Sequence, residues 1–278
     1  MAQDMYWPDM KTLIVTGALR SIYDHRDLLR SLVRREIEAK YRATTLGLLW
    51  VVIYPLMMLG VYTFVFAGVF GARWGDRGNW TDFVPMLYCG LLIHAVFSET
   101  VGKAPYLIVN NPNYVKKVVF PLELLPVGGL LSALFNAAIG FVLLLLMALV
   151  LKQTLHWTVV FVPFALLPLV LFSVGFAWFV AALGVFFRDI EQLIGVLLSM
   201  LLFLSPVFYS VEAAPPIART LLLINPLTYP IDELRHLVLL GNLPHWQPWL
   251  VNTVLGALVA WSGLWVFERT RPAFADVV

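Results

Sequence analysis

The chain has 278 residues, of which 60% are apolar or aromatic and 13% are charged, and its mean hydropathy is +0.83. A soluble domain carries about 25% charged residues, so this composition predicts a membrane protein. The formal net charge of +2 is too small to indicate a nucleic-acid partner, and the single Cys89 excludes an internal disulfide. Residues 1–20 lack a continuous apolar core and a convincing cleavage site, so no cleaved signal peptide is expected.

Residues 21–45 have the pattern of an amphipathic helix. Apolar side chains recur every three or four positions from Leu29 to Tyr41, which places them on one helix face. The rest of the surface is basic and contains Arg30, Arg34, Arg35, Lys40 and Arg42. We expect this helix to lie at the membrane surface, with its basic groups among anionic headgroups and its apolar face in the acyl boundary. The alternative is a solvated helix on a soluble domain, for which the chain has little soluble sequence.

Six apolar segments are long enough to cross a bilayer, whose hydrocarbon core requires about 20 helical residues. They are residues 46–70, 83–101, 119–151, 158–187, 190–210 and 248–267. The third is longer than one crossing requires, so we expect tilt, a kink or an interfacial entry near Pro126. The short turn at residues 188–192 makes spans 4 and 5 antiparallel neighbours. The predicted fold is an all-α integral membrane protein with six transmembrane helices in one domain, residues 1–278.

Positive residues are retained on the cytoplasmic side of a membrane. With the N-terminus inside, fourteen of the nineteen Lys and Arg residues fall in cytoplasmic segments. Both termini, including a tail at residues 268–278, are therefore predicted to be cytoplasmic.

Two connecting segments carry structural signals of their own. In the predicted cytoplasmic segment 102–118, Asn111 and Pro112 favour a helix start, and Lys116 and Lys117 suit its C-terminal end. An ordinary connection between spans is the alternative. On the outer side, the segment assigned to residues 211–247 and its border to Trp249 contain six prolines around two apolar stretches. This segment is too apolar for a solvated loop and too broken for a crossing, so we expect short helices that dip into the outer leaflet. The alternative is a folded external cap.

The sequence contains no phosphate-binding loop, His-Glu-x-x-His helix, Cys-x-x-Cys pair or nucleophile elbow. We therefore expect the chain neither to hydrolyse nucleotide nor to bind a metal or cofactor itself. Ionisable residues within spans are often functional. Glu99 and Glu123, however, lie near span ends, where snorkelling or pairing with Lys103, Lys116 or Lys117 explains them. His94 is deeper and solitary, which favours polar packing.

Small residues at intervals of four predict close helix contacts, at Gly129, Ala133 and Ala137 and again at Gly256 and Ala260. Aromatic residues concentrate in the first and fifth spans: Trp50, Tyr54, Tyr62, Phe66, Phe203, Phe208 and Tyr209. The hydroxyls of Tyr54 and Tyr62, near mid-span, require polar partners and indicate a surface other than lipid.

Five segments occur in an order that resembles a known family: LVRREIEAKYRATTLGLLWVVIYPL, NNPNYVKKVVFPLELLP, Phe187 to Ile190, SPVFY and INPLTYPIDELRHLVL. Together they resemble the permease subunit of ABC-2 type polysaccharide exporters, which move O-antigen, capsular polysaccharide or teichoic acid. The resemblance covers nearly the whole chain. One departure is Leu122, because an Arg is common in the family after the Phe-Pro pair.

The resemblance implies a homodimer with twelve spans around a channel, and two separate ATPase subunits that hold ATP and Mg. It implies an interface helix at residues 24–43 and external gate helices at 215–240. It implies ATPase coupling by Asn110, Asn111, Pro112, Asn113, Tyr114, Lys116 and Lys117, a gate with Asn225, Pro226, Tyr229, Asp232 and Arg235, and a channel lined by the seven aromatic residues named above.

The sequence thus predicts a multi-pass permease of the bacterial inner membrane that exports a lipid-linked polysaccharide, with ATP hydrolysed by a partner. Its other contacts would be membrane lipids. An exporter of a lipid or drug would use the same skeleton. A membrane-embedded glycan transferase would need acidic residues near one face, and Glu99, Asp189 and Glu191 are the candidates. A purely structural scaffold would not explain the mid-span tyrosines.

Overall fold

A computed structural model describes residues 20–42, 45–74, 80–115 and 120–277, and within these ranges the chain is helical with no strands. The α-helices are α1 (Arg26–Arg42), α2 (Trp50–Tyr62), α3 (Trp80–Lys103), α4 (Tyr106–Val109), α5 (Pro112–Val115), α6 (Leu124–Met147), α7 (Val162–Ala165), α8 (Leu167–Phe186), α9 (Ile190–Leu204), α10 (Pro216–Ile224), α11 (Thr228–Arg235), α12 (Trp246–Thr270) and α13 (Phe274–Val277). Wider π-helical turns extend α2 to Val69, α6 to Lys152 and α11 to Leu240.

In the described parts of the chain, five helical segments are long and apolar enough to cross a membrane. They are Trp50–Val69, Thr81–Lys103, Leu124–Lys152, Trp157–Phe186 and Trp246–Val277, and we call them spans 1, 2, 3, 4 and 6. The predicted all-helical membrane fold is confirmed at this level. Helix α9 is apolar but has only 15 residues, which gives about 22 Å at 1.5 Å per residue, short of the ~30 Å hydrocarbon core. A sixth crossing at residues 190–210 remains a prediction.

Span 3 begins at Leu124, so Pro126 lies in its first turn. The missing N–H of a proline removes no helical hydrogen bond there, and no kink is required. The expected tilt or interfacial entry near Pro126 remains a prediction. At the other end of the span, Lys152 forms an ion pair with Asp82, which joins spans 2 and 3.

Spans 4 and 6 form the most closely packed helix pair. A Cβ atom on Gly175 would lie 2.7 Å from the backbone nitrogen of Ala260, so only glycine allows this approach. The small-residue stripe at Gly256 and Ala260 therefore has its predicted role. The stripe in span 3 differs, because a Cβ on Gly129 would meet no described atom of another helix within 4 Å.

The apolar face of α1 packs against protein. Leu29 and Tyr41 are buried, and Gly128 at the start of span 3 faces the side chains of Leu29 and Leu32. The expectation that this face enters the acyl boundary is therefore wrong for these residues. In the tertiary fold, span 3 covers the apolar face of α1, which the sequence pattern alone would also allow to contact lipid.

Candidate functional site

A cavity of about 720 Å³ lies between spans 1, 2 and 3, next to Leu202 of α9. Trp50, Tyr54 and Tyr62 line one wall, because their spacing of four and eight residues places them on one face of span 1. Along span 2 the lining extends from Tyr88 to Lys103, fifteen residues or about 22 Å of helix at 1.5 Å per residue. The cavity is therefore a slot roughly parallel to the spans. Ala133 and Ala137 face this slot, which explains the small-residue stripe of span 3.

One end of the slot is closed by a polar cluster centred on Glu99. Its carboxylate accepts hydrogen bonds from Lys40 at 2.8 Å, from Lys103 at 2.9 Å and from Asn136 at 3.0 Å. Lys103 also donates to Glu36 at 2.7 Å. The cluster joins α1 to spans 2 and 3 and balances two ammonium groups against two carboxylates, as partly buried charges require. The predicted pairing of Glu99 with Lys103 is confirmed, whereas the contributions of Lys40 and Asn136 were not foreseen.

Tyr88 lies at the opposite end of the slot. Its side chain is 2% exposed, and its hydroxyl has no hydrogen-bond partner among the described residues. A Cβ on Gly140 would lie 3.1 Å from this hydroxyl and 2.7 Å from Leu92, so glycine keeps the space open. An unpaired buried hydroxyl is unfavourable, which suits a site that receives a polar group from a ligand. Nothing in the sequence singled out Tyr88, because an isolated tyrosine in an apolar span has no motif.

The other predicted lining aromatics form a cluster around Phe208 that adjoins the slot at Tyr62. The Phe208 ring stacks on Phe66 at 4.4 Å between centroids, meets Tyr62 edge-on at 5.2 Å and lies 5.4 Å from Phe203. The Tyr209 hydroxyl donates to the carbonyl of Phe203 at 3.2 Å. The structure thus brings Trp50, Tyr54 and Tyr62 to the slot and packs the remaining four against one another; a channel lining by all seven remains a prediction.

His94 also lines the slot, and its Nε2 atom lies 3.1 Å from the carbonyl oxygen of Leu198 in α9. This contact is the polar packing that the sequence predicted. It ties α9 to span 2, and α9 has no buried residue of its own.

The predicted coupling segment forms two short helices, α4 and α5. Pro112 is the first residue of α5, as expected, and the amide of Asn111 donates to the carbonyl of Leu107 at 3.0 Å. Asn110 and Asn113 are exposed. Arg35 of α1 donates to the Tyr114 hydroxyl at 2.8 Å, and the Tyr114 ring stacks on Phe120 at 4.2 Å. Lys116 and Lys117 lie outside the described residues.

This segment also contacts the neighbouring spans. Pro105 packs so closely on span 4 that a Cβ on Gly184 would meet the Pro105 Cα atom at 2.7 Å. A hydrogen bond to Glu191, at the start of α9, raises the pKa of Tyr106. Movement at the segment would therefore reach span 4 and α9 directly.

The basic residues of α1 have separate roles. Arg30 and Arg34 are exposed and pair with Asp27 and Glu38 on the same helix; the Glu38 carboxylate raises the pKa of Arg34. Lys40 points into the Glu99 cluster, and Arg35 contacts the coupling segment. The side chain of Arg42 lies outside the description.

Two of the predicted gate residues, Arg235 and Asp232, form an ion pair whose cation is buried. Arg235 is 3% exposed; it donates to the carbonyls of Met86 and Val207 at 3.0 Å and to Asp232 at 3.2 Å, and its guanidinium lies 4.2 Å from the Trp74 ring centre. Burial raises the pKa of Asp232, an effect that Arg235 partly opposes. Arg235 thereby fixes α11 to span 2 and to the segment after α9.

The other gate residues shape the turn before α11. Asn225 donates to Ser205 at 2.9 Å and accepts from the backbone N–H of Leu227 at 2.9 Å. Pro226 lies between these contacts. Burial raises the pKa of Tyr229, whose hydroxyl has no partner among the described residues. The external position of this group remains a prediction.

Residues 27–239 match the family model described as "ABC-2 type transporter". The chain belongs to the ABC-2 type transporter family. It is 29% identical to the O-antigen export system permease protein RfbA of Myxococcus xanthus over 94% of this chain and 98% of that protein. It is 24% identical to RfbA of Klebsiella pneumoniae over 91% and 95%, respectively. It is also 26% identical to the daunorubicin resistance ABC transporter permease protein DrrB1 of Streptomyces coeruleorubidus over 76% of this chain and 74% of that protein.

Family membership and the long apolar helices establish a multi-pass membrane protein. The family match includes the slot, the coupling segment and α11. It ends before α12, so the last span and the C-terminal helix α13 lie outside it.

Proposed function

We propose that this chain is the permease subunit of an ABC transporter that exports a polysaccharide, driven by a separate ATPase. The observation that carries the proposal is the slot, whose wall of Trp50, Tyr54 and Tyr62 extends from the polar Glu99 cluster to the unpaired Tyr88 hydroxyl. Aromatic faces stack on the C–H faces of sugar rings, and their polar edges meet hydroxyls. The full-length similarity to proteins named as O-antigen export permeases supports the same substrate class.

The working transporter would be a homodimer in the bacterial inner membrane, with both termini cytoplasmic. Two exposed apolar surfaces support a second copy: α9 has no buried residue, and Tyr54, Met57 and Phe64 of span 1 are mostly exposed. In such a dimer α9 and residues 205–210 would form a sixth crossing, and α10 and α11 the external gate. The lipid carrier of the glycan would remain in the surrounding membrane.

Two ATPase subunits, which would hold ATP and Mg, would dock on residues 110–117. The contacts of Tyr114 with α1 and of Pro105 with span 4 support this role, because a push at the segment would move several helices together. This chain would bind no cofactor and catalyse no reaction.

The test is purification of the permease with the ATPase encoded nearby, followed by reconstitution in liposomes. We expect defined lipid-linked glycans to stimulate ATP hydrolysis and to appear on the far side of the membrane. A rate of ATP hydrolysis that no glycan stimulates, but that a hydrophobic drug increases, would contradict the proposal.

A drug exporter is the second candidate, because the similarity to DrrB1 covers three quarters of the chain. Deletion of the gene discriminates the two: loss of surface glycan supports polysaccharide export, whereas drug sensitivity with normal glycan supports the alternative. A glycan transferase is less compatible with the geometry, since the Glu99 carboxylate already accepts hydrogen bonds from three side chains. Transferase activity of the purified chain without any ATPase would reopen that option.

A further inference from the structure

The C-terminal end of span 6 contacts the chain just after the coupling segment. Arg271 donates to a carboxylate oxygen of Glu123 at 3.2 Å and to the backbone carbonyl of Phe120 at 3.0 Å. Glu268, one turn earlier, is a second acceptor at 3.4 Å. One guanidinium therefore joins span 6 to the entry of span 3, nearly 150 residues earlier in the chain.

Glu123 is a point where four parts of the chain meet. Its carboxylate also accepts a hydrogen bond from the Ser21 hydroxyl at 2.7 Å, in the helical turn before α1. Its backbone carbonyl accepts from the indole N–H of Trp178 in span 4 at 3.0 Å. Glu123 is buried, and removal of Arg271 would leave its charge without the cation that offsets the cost of burial.

The same contacts continue into the coupling segment. Phe120, whose carbonyl Arg271 binds, stacks its ring on Tyr114 with an angle of 8° between the planes. On the other side, the Tyr114 hydroxyl accepts the hydrogen bond from Arg35. Tyr114 is thus held between α1 and the ring of Phe120, the residue whose backbone carbonyl Arg271 binds.

The position of Arg271 is itself fixed by packing. Phe267 and Phe274, which flank it, are fully buried and lie 5.4 Å apart, and Phe274 packs on Phe186 of span 4 at 6.0 Å. Arg271 therefore lies between two buried anchors, Phe267 and Phe274, which limit its freedom to leave Glu123.

We propose that Arg271 is a positioning residue that holds the coupling segment in the geometry needed to transmit force from the ATPase. This inference rests on the proposed function. The segment would move as one unit with the start of span 3 and the C-terminal ends of spans 4 and 6. ATP-driven displacement would then open the transport path instead of bending a free loop. Arg271 lies beyond residues 27–239, so the family match assigns it no role.

The first test measures the geometry alone, by hydrogen exchange of the intact permease in complex with its ATPase. In Arg271→Gln we expect amide exchange in residues 106–115 to accelerate about tenfold. Loss of the hydrogen bonds to the buried Glu123 carboxylate would lower the free energy of local opening in this segment. Arg269→Gln is the matched control, because Arg269 is exposed on the same helix. Equal exchange in the two variants would overturn the proposal.

The second test separates positioning from folding by counting ATP molecules hydrolysed per glycan exported. Arg271→Gln should retain the ATPase and its basal hydrolysis while this ratio rises about fivefold or more. Arg271→Lys should restore part of the coupling, since an ammonium still pairs with Glu123 but loses the fixed fork to Phe120. Export and hydrolysis that fall in proportion to the amount of folded protein would mean a merely structural role and overturn the inference.

If Arg271→Gln fails to fold, Glu123→Gln tests the same contact with a side chain of equal shape and should give the same exchange and coupling changes. An unchanged Glu123→Gln protein would contradict the proposal. If glycans fail to stimulate ATP hydrolysis by the wild-type complex, polysaccharide export is refuted. The hydrogen-exchange experiment would still test the role of Arg271.

Discussion

Spans 4 and 6 and the pair formed by span 1 and α9 are packed in opposite ways. In α8 of span 4, thirteen of twenty residues are buried, and its Gly175 meets the backbone of span 6. Helix α9 has no buried residue within the described protomer, and Tyr54 of span 1 is 60% exposed. Span 4 is packed on span 6 inside one chain, although the long helix of span 6 buries only Gly256, Gly263, Leu264 and Phe267. Span 1 and α9 leave apolar and aromatic surface uncovered. Under the proposed function, the first contact would serve as a scaffold, and the uncovered surface would meet the second copy.

Arg235 fixes the segment after α9, through the Val207 carbonyl, to span 2. Arg235→Gln should destabilise the protein by about 3–5 kcal/mol, because it removes a buried cation from Asp232 and two carbonyls. Thermal unfolding in detergent measures this. Arg34→Gln, at a site 82% exposed, is the control and should cost less than about 1 kcal/mol. Similar losses in both variants would show that Arg235 does not hold the outer segment.

A direct comparison of the regions substitutes one glycine in each. Gly175→Ala should destabilise by about 1–3 kcal/mol, since the new methyl group would overlap the backbone of span 6. Gly195→Ala in α9 meets no described atom within 4 Å and should stabilise by up to ~1 kcal/mol through helix propensity. Yield of folded protein and melting temperature measure both. Equal effects would contradict the distinction between a packed and an open region.

Simultaneous alanine substitution of Trp50, Tyr54 and Tyr62 should lower the export rate by about tenfold or more. The lost contacts with the moving glycan would raise the activation free energy, and about 1.4 kcal/mol corresponds to a factor of ten in rate. Surface polysaccharide at equal protein level is the measurement. The matched variant changes Phe179, Trp261 and Trp265, which are exposed aromatic residues outside the slot, and should export normally. Normal export by the triple-alanine variant would show that the slot is not part of the transport path.

The smallest change is Tyr88→Phe, which deletes one hydroxyl. Export should fall by about fivefold, as one lost hydrogen bond to a ligand of about 1 kcal/mol predicts. Stability should hold or rise, since the hydroxyl has no described partner in the unliganded protein. Tyr23→Phe, at an exposed position, is the control. A melting temperature that falls in Tyr88→Phe would indicate a structural hydrogen bond instead of a ligand contact.

Much of the fold could be predicted because its signals are local. Hydropathy located four of the five long spans within about five residues at each end, but ended the last span ten residues too early, at 267 instead of Val277. The Asn111–Pro112 pair located the start of α5. The pairing of Glu99 with Lys103 was predictable because the two residues are one helical turn apart. The partner of Glu123 was not, because Arg271 is 148 positions away and many charged pairs were equally compatible with the sequence.

The prediction for the seven aromatic residues was also limited to local signals. Helical spacing placed Trp50, Tyr54 and Tyr62 together on the face of span 1 that lines the slot. Spacing could not separate these three from Phe66, Phe203, Phe208 and Tyr209, because that division depends on how the segment after α9 folds back on span 1. Tyr88 was missed altogether.

The sequence by itself determined that the chain is helical and embedded in a membrane, because hydropathy and helical period act over one or two turns. Only the tertiary structure decided that α1 covers span 3, that Glu99 closes a slot and that Arg271 holds the chain beside the coupling segment. These features arise from side chains that meet across distant segments, where packing and the cost of an unpaired buried charge select one partner among many.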